Sequence, residues 1–345
     1  MDRKEIKPVL CGLTPEELRD VLKPLPAFRS RQILLWITRG VSSFSEMTDL
    51  PLPLREEFES RFSLYSGRVS RHLKDPDGTV KLRITFPDGV SIESVLLSDG
   101  EGRKTACLST QGGCPAGCVF CKTGSRGFFR NLESSEITEQ FLRLRFLAPD
   151  ISHIVIMGMG EPLLNLGKLR KALHILMAPE GLGISKRRVT LSTCGIVQGI
   201  RDLADQGPPI RLAFSLTAAD EALRERLMPI SKTNPLPQVK KALLYYQEKQ
   251  GRRITLEAVL LGGINTRRQD AEALADFARG LDAAVNLIPW NAAKIPEFEG
   301  RPLKEPGIRE IAEFSAALEK RGLKVTQRLR KGRSIAGACG QLAGE

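Results

Sequence analysis

From residue 105 onward the chain alternates between two periods. Short apolar runs, rich in β-branched residues, fall at 105–110, 151–157, 187–192, 210–216, 252–261, 282–290 and 323–329. Stretches with helical spacing lie between them, at 134–147, 167–178, 197–206, 221–226 with 235–249, 268–280 and 306–321. Repeated strand–helix units with apolar strands predict an α/β fold, a parallel sheet covered by helices. About six such units make an open sheet or a partial barrel, and in either the functional groups gather where the strands end. The sequence meets that rule repeatedly. Small or polar residues follow the strands at 112–127, 158–162, 192–195, 215–217 and 290–291, where a core would take apolar ones. One such tip is a turn signal, but several on one rim predict a ligand site.

The first tip, GGCPAGCVFCKTGSRG at 112–127, carries Cys114, Cys118 and Cys121. Thiolates spaced this closely can hold three irons of a [4Fe–4S] cubane and leave the fourth open. An open iron can bind and reduce a substrate, which a closed four-cysteine electron carrier cannot. A zinc knot would need paired short spacings and a fourth Cys or His, and neither lies nearby. Structural core thiols would sit oddly in a loop so rich in Gly and Pro. At the second tip, Gly158 and Gly160 let the backbone approach a ligand closely. Carbonyls there, with Glu161, suit the ammonium group of an amino acid-like cofactor. A GxGxxG fingerprint is missing, which disfavours a dinucleotide.

The 345 residues hold 52 Lys and Arg against 40 Asp and Glu, a net charge of +12. That excess predicts a polyanionic partner, nucleic acid first. Basic clusters at Lys186, Arg187 and Arg188 and at Arg328, Arg330, Lys331 and Arg333 flank the tips. Singly each reads as a solvated face; together with the net charge they suit phosphate groups. The seven cysteines follow no secretory signal, and no apolar run is long enough to cross a bilayer. A reducing cytoplasm is the expected compartment, where clustered Cys mean metal or redox chemistry.

Ahead of the alternation, residues 1–65 read as a helical accessory unit. Thr14 caps a first helix, and Ile33, Trp36 and Ile37 form an apolar stripe that makes Trp36 a core residue rather than a stacking platform. Residues 66–104 read as a hairpin, with strands at 80–86 and 90–97 around the Pro87-Asp88-Gly89 turn. Glu93, inside the second strand, reads on its own as a solvent-facing carboxylate. Cys107 reads as a core thiol or a fourth cluster ligand, and Cys339, in a Gly-rich tail, as an inert residue.

Taken together, the CxxxCxxC loop after a first strand and Gly-Glu-Pro after a second resemble the radical S-adenosylmethionine (SAM) enzymes. TACLSTQGGC (105–114), MGMGEPLLN (157–165), SKRRVTLST (185–193), NLIPWN (286–291) and ACGQLAG (338–344) occur in the order of the RlmN/Cfr family of RNA methyltransferases and resemble its RlmN type most closely. The likeness extends to the helical start, FRSRQILLWI and SFSEMTDLPLPLRE. It implies a partial (β/α)6-type barrel over 105–330, a helical RNA-binding domain at 1–65, a β-hairpin extension at 66–104 and a mobile tail at 331–345. Cys114, Cys118 and Cys121 would ligate the [4Fe–4S] cluster. Gly160, Glu161, Ser192, Ser215, Leu216, Thr217 and Asn291 would contact SAM. Cys339 would carry a methyl group, with Cys107 as its redox partner and Glu93 as a proton acceptor. The implied reaction methylates carbon 2 of an adenine in 23S rRNA, and of an adenine in certain tRNAs, through two SAM molecules and a methylcysteine. An external electron donor would serve the cluster and a Cys107–Cys339 disulfide, and the chain would act as a monomer.

The sequence departs from the family pattern at 215–220, which reads SLTAAD where SLHAPN is usual. Thr217 is expected to cap the next helix, with Asp220 three residues on. Cys194 replaces a usual Ser and reads as a buried small residue. Two rivals remain. A Cfr-type enzyme that methylates carbon 8 shares the cysteines, although Pro162 and the following Leu163-Leu164-Asn165 favour the carbon-2 type. The other is a non-catalytic RNA-binding protein with a structural zinc.

Overall fold

The computed structural model describes residues 7–100, 102–291, 297–328 and 330–344. It opens with three helices, α1 (Pro15–Val21), α2 (Ala27–Arg39) and α3 (Leu52–Arg61). Thr14 caps α1 reciprocally with Glu17: its hydroxyl accepts the Glu17 N–H at 3.2 Å, and Glu17 accepts the Thr14 N–H at 2.9 Å. α2 buries Ile33 and Ile37, and half-buried Trp36 packs against the same core while its indole N–H donates to Asp49.

Strands β1 (Arg68–Lys74), β2 (Val80–Thr85) and β3 (Ser91–Ser98) run antiparallel, and β3 pairs with β4 (Lys104–Cys107). β1 is an exposed edge strand without an apolar period, so hydrophobic alternation does not mark it. A small hairpin, β5 (Gln111–Gly113) and β6 (Phe128–Asn131), brackets the cysteine loop and its single-turn helix α4 (Lys122–Ser125). The chain continues through α5 (Ser134–Leu147), β7 (His153–Ile156), α6 (Leu166–Met177), β8 (Val189–Thr193), α7 (Val197–Gln206) and β9 (Arg211–Ser215). Then come α8 (Glu221–Leu227), α9 (Leu236–Gln250), β10 (Ile254–Leu260), α10 (Arg268–Ala278) and β11 (Ala283–Pro289). A short hairpin of β12 (Glu297–Phe298) and β13 (Arg301–Pro302), α11 (Ile308–Glu319) and β14 (Lys324–Gln327) complete it.

One ten-stranded sheet takes the order β1-β2-β3-β4-β7-β8-β9-β10-β11-β14. From β4 onward every pair is parallel, the α/β arrangement expected from the alternation. The hairpin β2–β3 continues this sheet through β4. Among the described residues β14 pairs with β11 and not with β4, so the sheet is open. It is nonetheless strongly curled. Arg328, just past β14, places Nη1 3.5 Å from the sulfur of Met157, just past β7. An open, curled parallel sheet is compatible with a partial barrel.

Side chains alternate across each strand. The outer face carries Ile154, Ile156, Val189, Leu191, Leu212, Phe214, Leu256, Val285 and Leu287, all buried under the helices. The inner face is different. It carries Thr105 and Cys107, then His153 and Val155, then Thr190 and Ser192, with Ser215, Glu257 and Asn286 on the next three strands. A fully packed barrel would fill these positions with branched apolar residues. Here they line cavities.

The helical start seats on α5. Fully buried Glu139 accepts the N–H groups of Ser66 and Gly67 at 2.8 and 2.9 Å, and Arg143 lies 3.3 Å away. Burial pushes the Glu139 carboxyl up to about 7.

Candidate active site

The cysteine loop is fixed by its neighbours. Gly113 begins it with φ +76°, and a Cβ there would lie on the carbonyl oxygen of Gly127 across the hairpin. The Cys114 N–H donates to that same oxygen at 2.8 Å. The Val119 N–H donates to Leu227 at the end of α8, and the Trp290 indole to the Phe120 carbonyl. Cys114, Cys118 and Cys121 thereby line one cavity of about 160 Å³. Burial pushes all three thiols up, Cys114 to about 12, and neighbouring Cys side chains add to the effect. Positive charge from a metal would reverse this by favouring thiolates. Among the described residues no three His, Cys, Asp or Glu side chains group tightly enough to hold one ion. A cubane asks for something else, one thiolate on each of several irons.

Most of the other residues expected at the site line the same cavity: Gly160, Glu161, Ser192, Ser215, Thr217 and Asn291. Gly160 has φ +102°, and a Cβ there would strike Gln111 at 2.6 Å. Glu161 faces the cavity, but its carboxylate already accepts bonds from the Thr193 hydroxyl and the Cys194 N–H, both at 2.8 Å, and from Leu163 N–H at 3.1 Å. Burial pushes its carboxyl up against those bonds. Ser192 and Ser215 hydroxyls meet at 3.0 Å. Leu216 is buried and does not line the cavity, and its carbonyl is taken by Arg224.

Thr217 departs from its expected role. The cap of α8 is Asp220, which accepts the Leu223 N–H at 2.7 Å. Asp220 reaches that N–H from the N-cap position, whereas Thr217 stands three residues ahead with φ +56°. Its backbone is held by Glu257 and Asn265, and its hydroxyl is buried without a partner. An orphaned hydroxyl on a cavity wall fits a polar ligand that would complete it.

Two residues were not anticipated. Glu257, a lone acid in the apolar strand β10, is buried on the cavity wall with Asn286 at 3.4 Å. Burial pushes its carboxyl up, against the pull of Arg328. An acid at an inward position of an aliphatic strand was the available signal. Arg224 is fully buried, stacks on Phe214 and donates to carbonyls of Ser215, at 2.9 Å, and Cys194, at 2.7 Å. It ties the ends of β8 and β9 together. Cys194 is buried, as expected.

A second cavity, of about 50 Å³, lies beside the first. Cys107, Arg328 and Leu97 line it, and it shares Met157, Ile288, Asn291 and Cys339 with the cysteine-loop cavity. Half-buried Cys339 therefore stands at the junction, between the three loop cysteines and Cys107. Burial first, and Cys339 second, push the Cys107 thiol up to about 12, while Arg328 pulls it down.

The tail is seated by a series of bonds. Asp77 accepts the Gly332 N–H, and Asp75 accepts both the N–H and the hydroxyl of Ser334, at 2.9 and 2.6 Å. Lys81 donates to the Ala336 carbonyl, Lys122 N–H to Gly340 and Thr123 to Leu342. Glu93 is buried, not solvent-facing as its strand position alone suggested. It sits 2.9 Å from the Lys81 ammonium, and its other oxygen accepts the Ala343 N–H at 2.8 Å. It lies under the tail and lines neither cavity.

Comparison with known proteins gives the family. A model of the radical SAM superfamily matches residues 108–278, and a model of the ribosomal RNA large subunit methyltransferase N-terminal domain matches residues 9–64. A probable dual-specificity RNA methyltransferase RlmN of Treponema denticola is 48% identical, over 99% of this chain and 97% of its own length. A protein of the same name from Thermus thermophilus is 41% identical, over 98% and 93%. The crystal structure of a radical SAM methyltransferase from Sphaerobacter thermophilus superposes with a TM-score of 0.92 at 37% identity, covering 98% of this chain and all of that one. The chain belongs to the RlmN family of radical SAM proteins.

Proposed function

We propose that the protein methylates carbon 2 of an adenine in 23S rRNA, and of an adenine in certain tRNAs, through a methylated Cys339. The observation that carries this reading is the place of Cys339, shared by the cysteine-loop cavity and the Cys107 cavity. A thiol there can receive a carbon on one side and deliver it on the other. The chemistry needs such a carrier. Carbon 2 of adenine lies between two ring nitrogens, is electron-poor and does not attack a sulfonium methyl group.

The loop thiols of Cys114, Cys118 and Cys121 would hold a [4Fe–4S] cluster, and Glu161, Ser192, Ser215, Thr217 and Asn291 would surround SAM. Once bound, these groups supply a methyl donor and a carbon radical able to take hydrogen from an unactivated methyl. Cys339, as thiolate, takes the methyl group. After loss of one hydrogen atom the sulfur-bound carbon adds to carbon 2 of the base. Glu93 or Cys107 then takes the carbon-2 proton, and the unpaired electron left on the adduct leaves to a one-electron acceptor, the kind of reagent an oxidised iron–sulfur centre would supply. Cys107 attacks the sulfur of Cys339, the carbon–sulfur bond breaks toward the base, and a Cys107–Cys339 disulfide forms. Two electrons from an external reductant restore both thiols. This reading places the enzyme in the reducing cytoplasm as a monomer.

Anaerobic incubation with SAM, a reductant and an unmodified 23S rRNA fragment tests it. Nucleoside mass spectrometry should find 2-methyladenosine. Product methylated at carbon 8 would assign the sister chemistry, and unmodified RNA with about one zinc per chain in place of about four irons would leave a binding protein.

A further inference from the structure

The inner face of the sheet ends in a third cavity, of about 380 Å³, at the N-terminal ends of the strands. Four strands bring one basic residue each to it. Arg103 precedes β4, His153 begins β7, Arg188 precedes β8 and Arg211 begins β9, while Lys331 and Arg328 follow β14. Alternation places them on the face that carries Cys107, Ser192 and Ser215 further up the same strands. Among the described residues Asp99 is the one acid in the lining, 2.9 Å from Arg103, and Lys104 pairs with Asp150 nearby. Arg188 and Arg211 are exposed, and among the described residues they and Lys331 make no ion pair with a carboxylate. Unpaired cations pointing into one cavity leave a charge that an anion would complete. His153 registers that field. Burial first, then Arg103, Arg188 and Arg211, push its imidazole below the ordinary value.

The third cavity adjoins the site. It shares Leu97, Met157, Arg328 and Lys331 with the cavity of Cys107 and Cys339. We propose that this basic mouth, built from Arg103, His153, Arg188, Arg211 and Lys331, binds the phosphates of the RNA strand whose flipped adenine passes to Cys107 and Cys339. The proposal rests on the RNA substrate of the preceding reading and adds where its backbone lies. The basic clusters seen in the sequence divide accordingly. Arg188, Arg328 and Lys331 line the mouth, whereas Arg330 and Arg333 face Glu305 at 2.7 and 4.0 Å.

The test is fluorescence anisotropy of the full protein with a fluorescein-labelled RNA hairpin bearing an unpaired loop adenine. Arg188→Ala/Arg211→Ala removes two exposed cations, and its melting temperature checks the fold. Arg201→Ala/Lys241→Ala, on exposed positions of α7 and α9, makes the same change in net charge elsewhere. The mouth variant should bind about tenfold more weakly, and its slope of log Kd against log salt should flatten by about 1.4, at about 0.7 per lost single-strand phosphate contact. The control variant should match wild type in both. Equal Kd and slope for the mouth variant and wild type, or equal losses in both variants, would overturn the proposal. Wild-type protein that neither binds nor methylates the hairpin would remove the RNA reading as well. Wild type that methylates it while the mouth variant is unaffected would remove the mouth alone.

Discussion

The two mouths of the curled sheet are built from the same strands and the same inward face, yet they are assembled in opposite ways. At the C-terminal rim, chemistry comes in blocks. Cys114, Cys118 and Cys121 share one loop, Gly160 and Glu161 are adjacent, and Ser215 and Thr217 are two apart. At the N-terminal mouth Arg103, His153, Arg188, Arg211 and Lys331 arrive singly from across the chain. Parallel register makes the first four neighbours: Thr105 pairs with His153, Ile154 with Val189 and Thr190 with Arg211, while Lys331 comes from the chain past β14. A rim that positions reacting atoms needs loops of defined local shape. A mouth that holds a flexible polyanion needs charge density and tolerates scattered sources.

The largest effect separating the two regions is expected from Cys118→Ala. Methylation should stop and iron fall from about four atoms per chain to near none, while affinity for the RNA hairpin stays within about twofold. Loss of affinity in step with iron would break the separation, because the rim would then also hold the RNA. Removal of iron from wild-type protein by a chelator should give the same pattern.

Cys107→Ala comes next. Multiple turnover should end, with RNA left joined to Cys339 as a covalent adduct that gel electrophoresis resolves. Full turnover without an adduct would take Cys107 out of the reaction. In the mouth variant the chemical step should instead keep its rate at saturating RNA, with the loss confined to KM.

A smaller effect is expected where the tail joins the two mouths. Asp75 and Asp77 hold Gly332 and Ser334, just ahead of Cys339. Asp75→Asn should raise amide hydrogen exchange over 334–343 by about tenfold with little change in global stability. The Ser334 hydroxyl, then the Asp77 N–H, hold the Asp75 carboxyl below its ordinary value. A carboxyl depressed in the folded state contributes fully above about pH 4 and loses its contribution as pH falls through the folded value. Tail exchange in wild type should therefore rise on acidification below about pH 4, and Asp75→Asn should lack that rise.

How much was legible follows from the same contrast. α5 and α7 occupy 134–147 and 197–206, as their periodicity predicts; α7 buries one face through Ile200, Leu203 and Ala204, whereas α5 buries Glu136, Glu139 and Gln140 beside its apolar residues. The parallel order and the loop cysteines were legible because their signals are local. β1 was not, since a strand exposed on both faces carries no alternation. β5 was not, because a three-residue strand ending in Gly112 and Gly113 looks like loop. The buried position of Glu93 depends on Lys81 across the hairpin and on the tail some 250 residues later, partners that no local window contains. Thr217 and Asp220 compete for one cap, and the choice is settled by the left-handed backbone at Thr217.

The central claim is that the transferred carbon passes through Cys339 and loses one hydrogen there before it reaches the base. SAM carrying a fully deuterated methyl group tests it directly, with mass spectrometry of adenosine released from 23S rRNA. The account predicts 2-methyladenosine with two deuterium atoms in its methyl group, since one leaves before the carbon adds. A methyl group that keeps all three would mean direct polar transfer and would contradict the account.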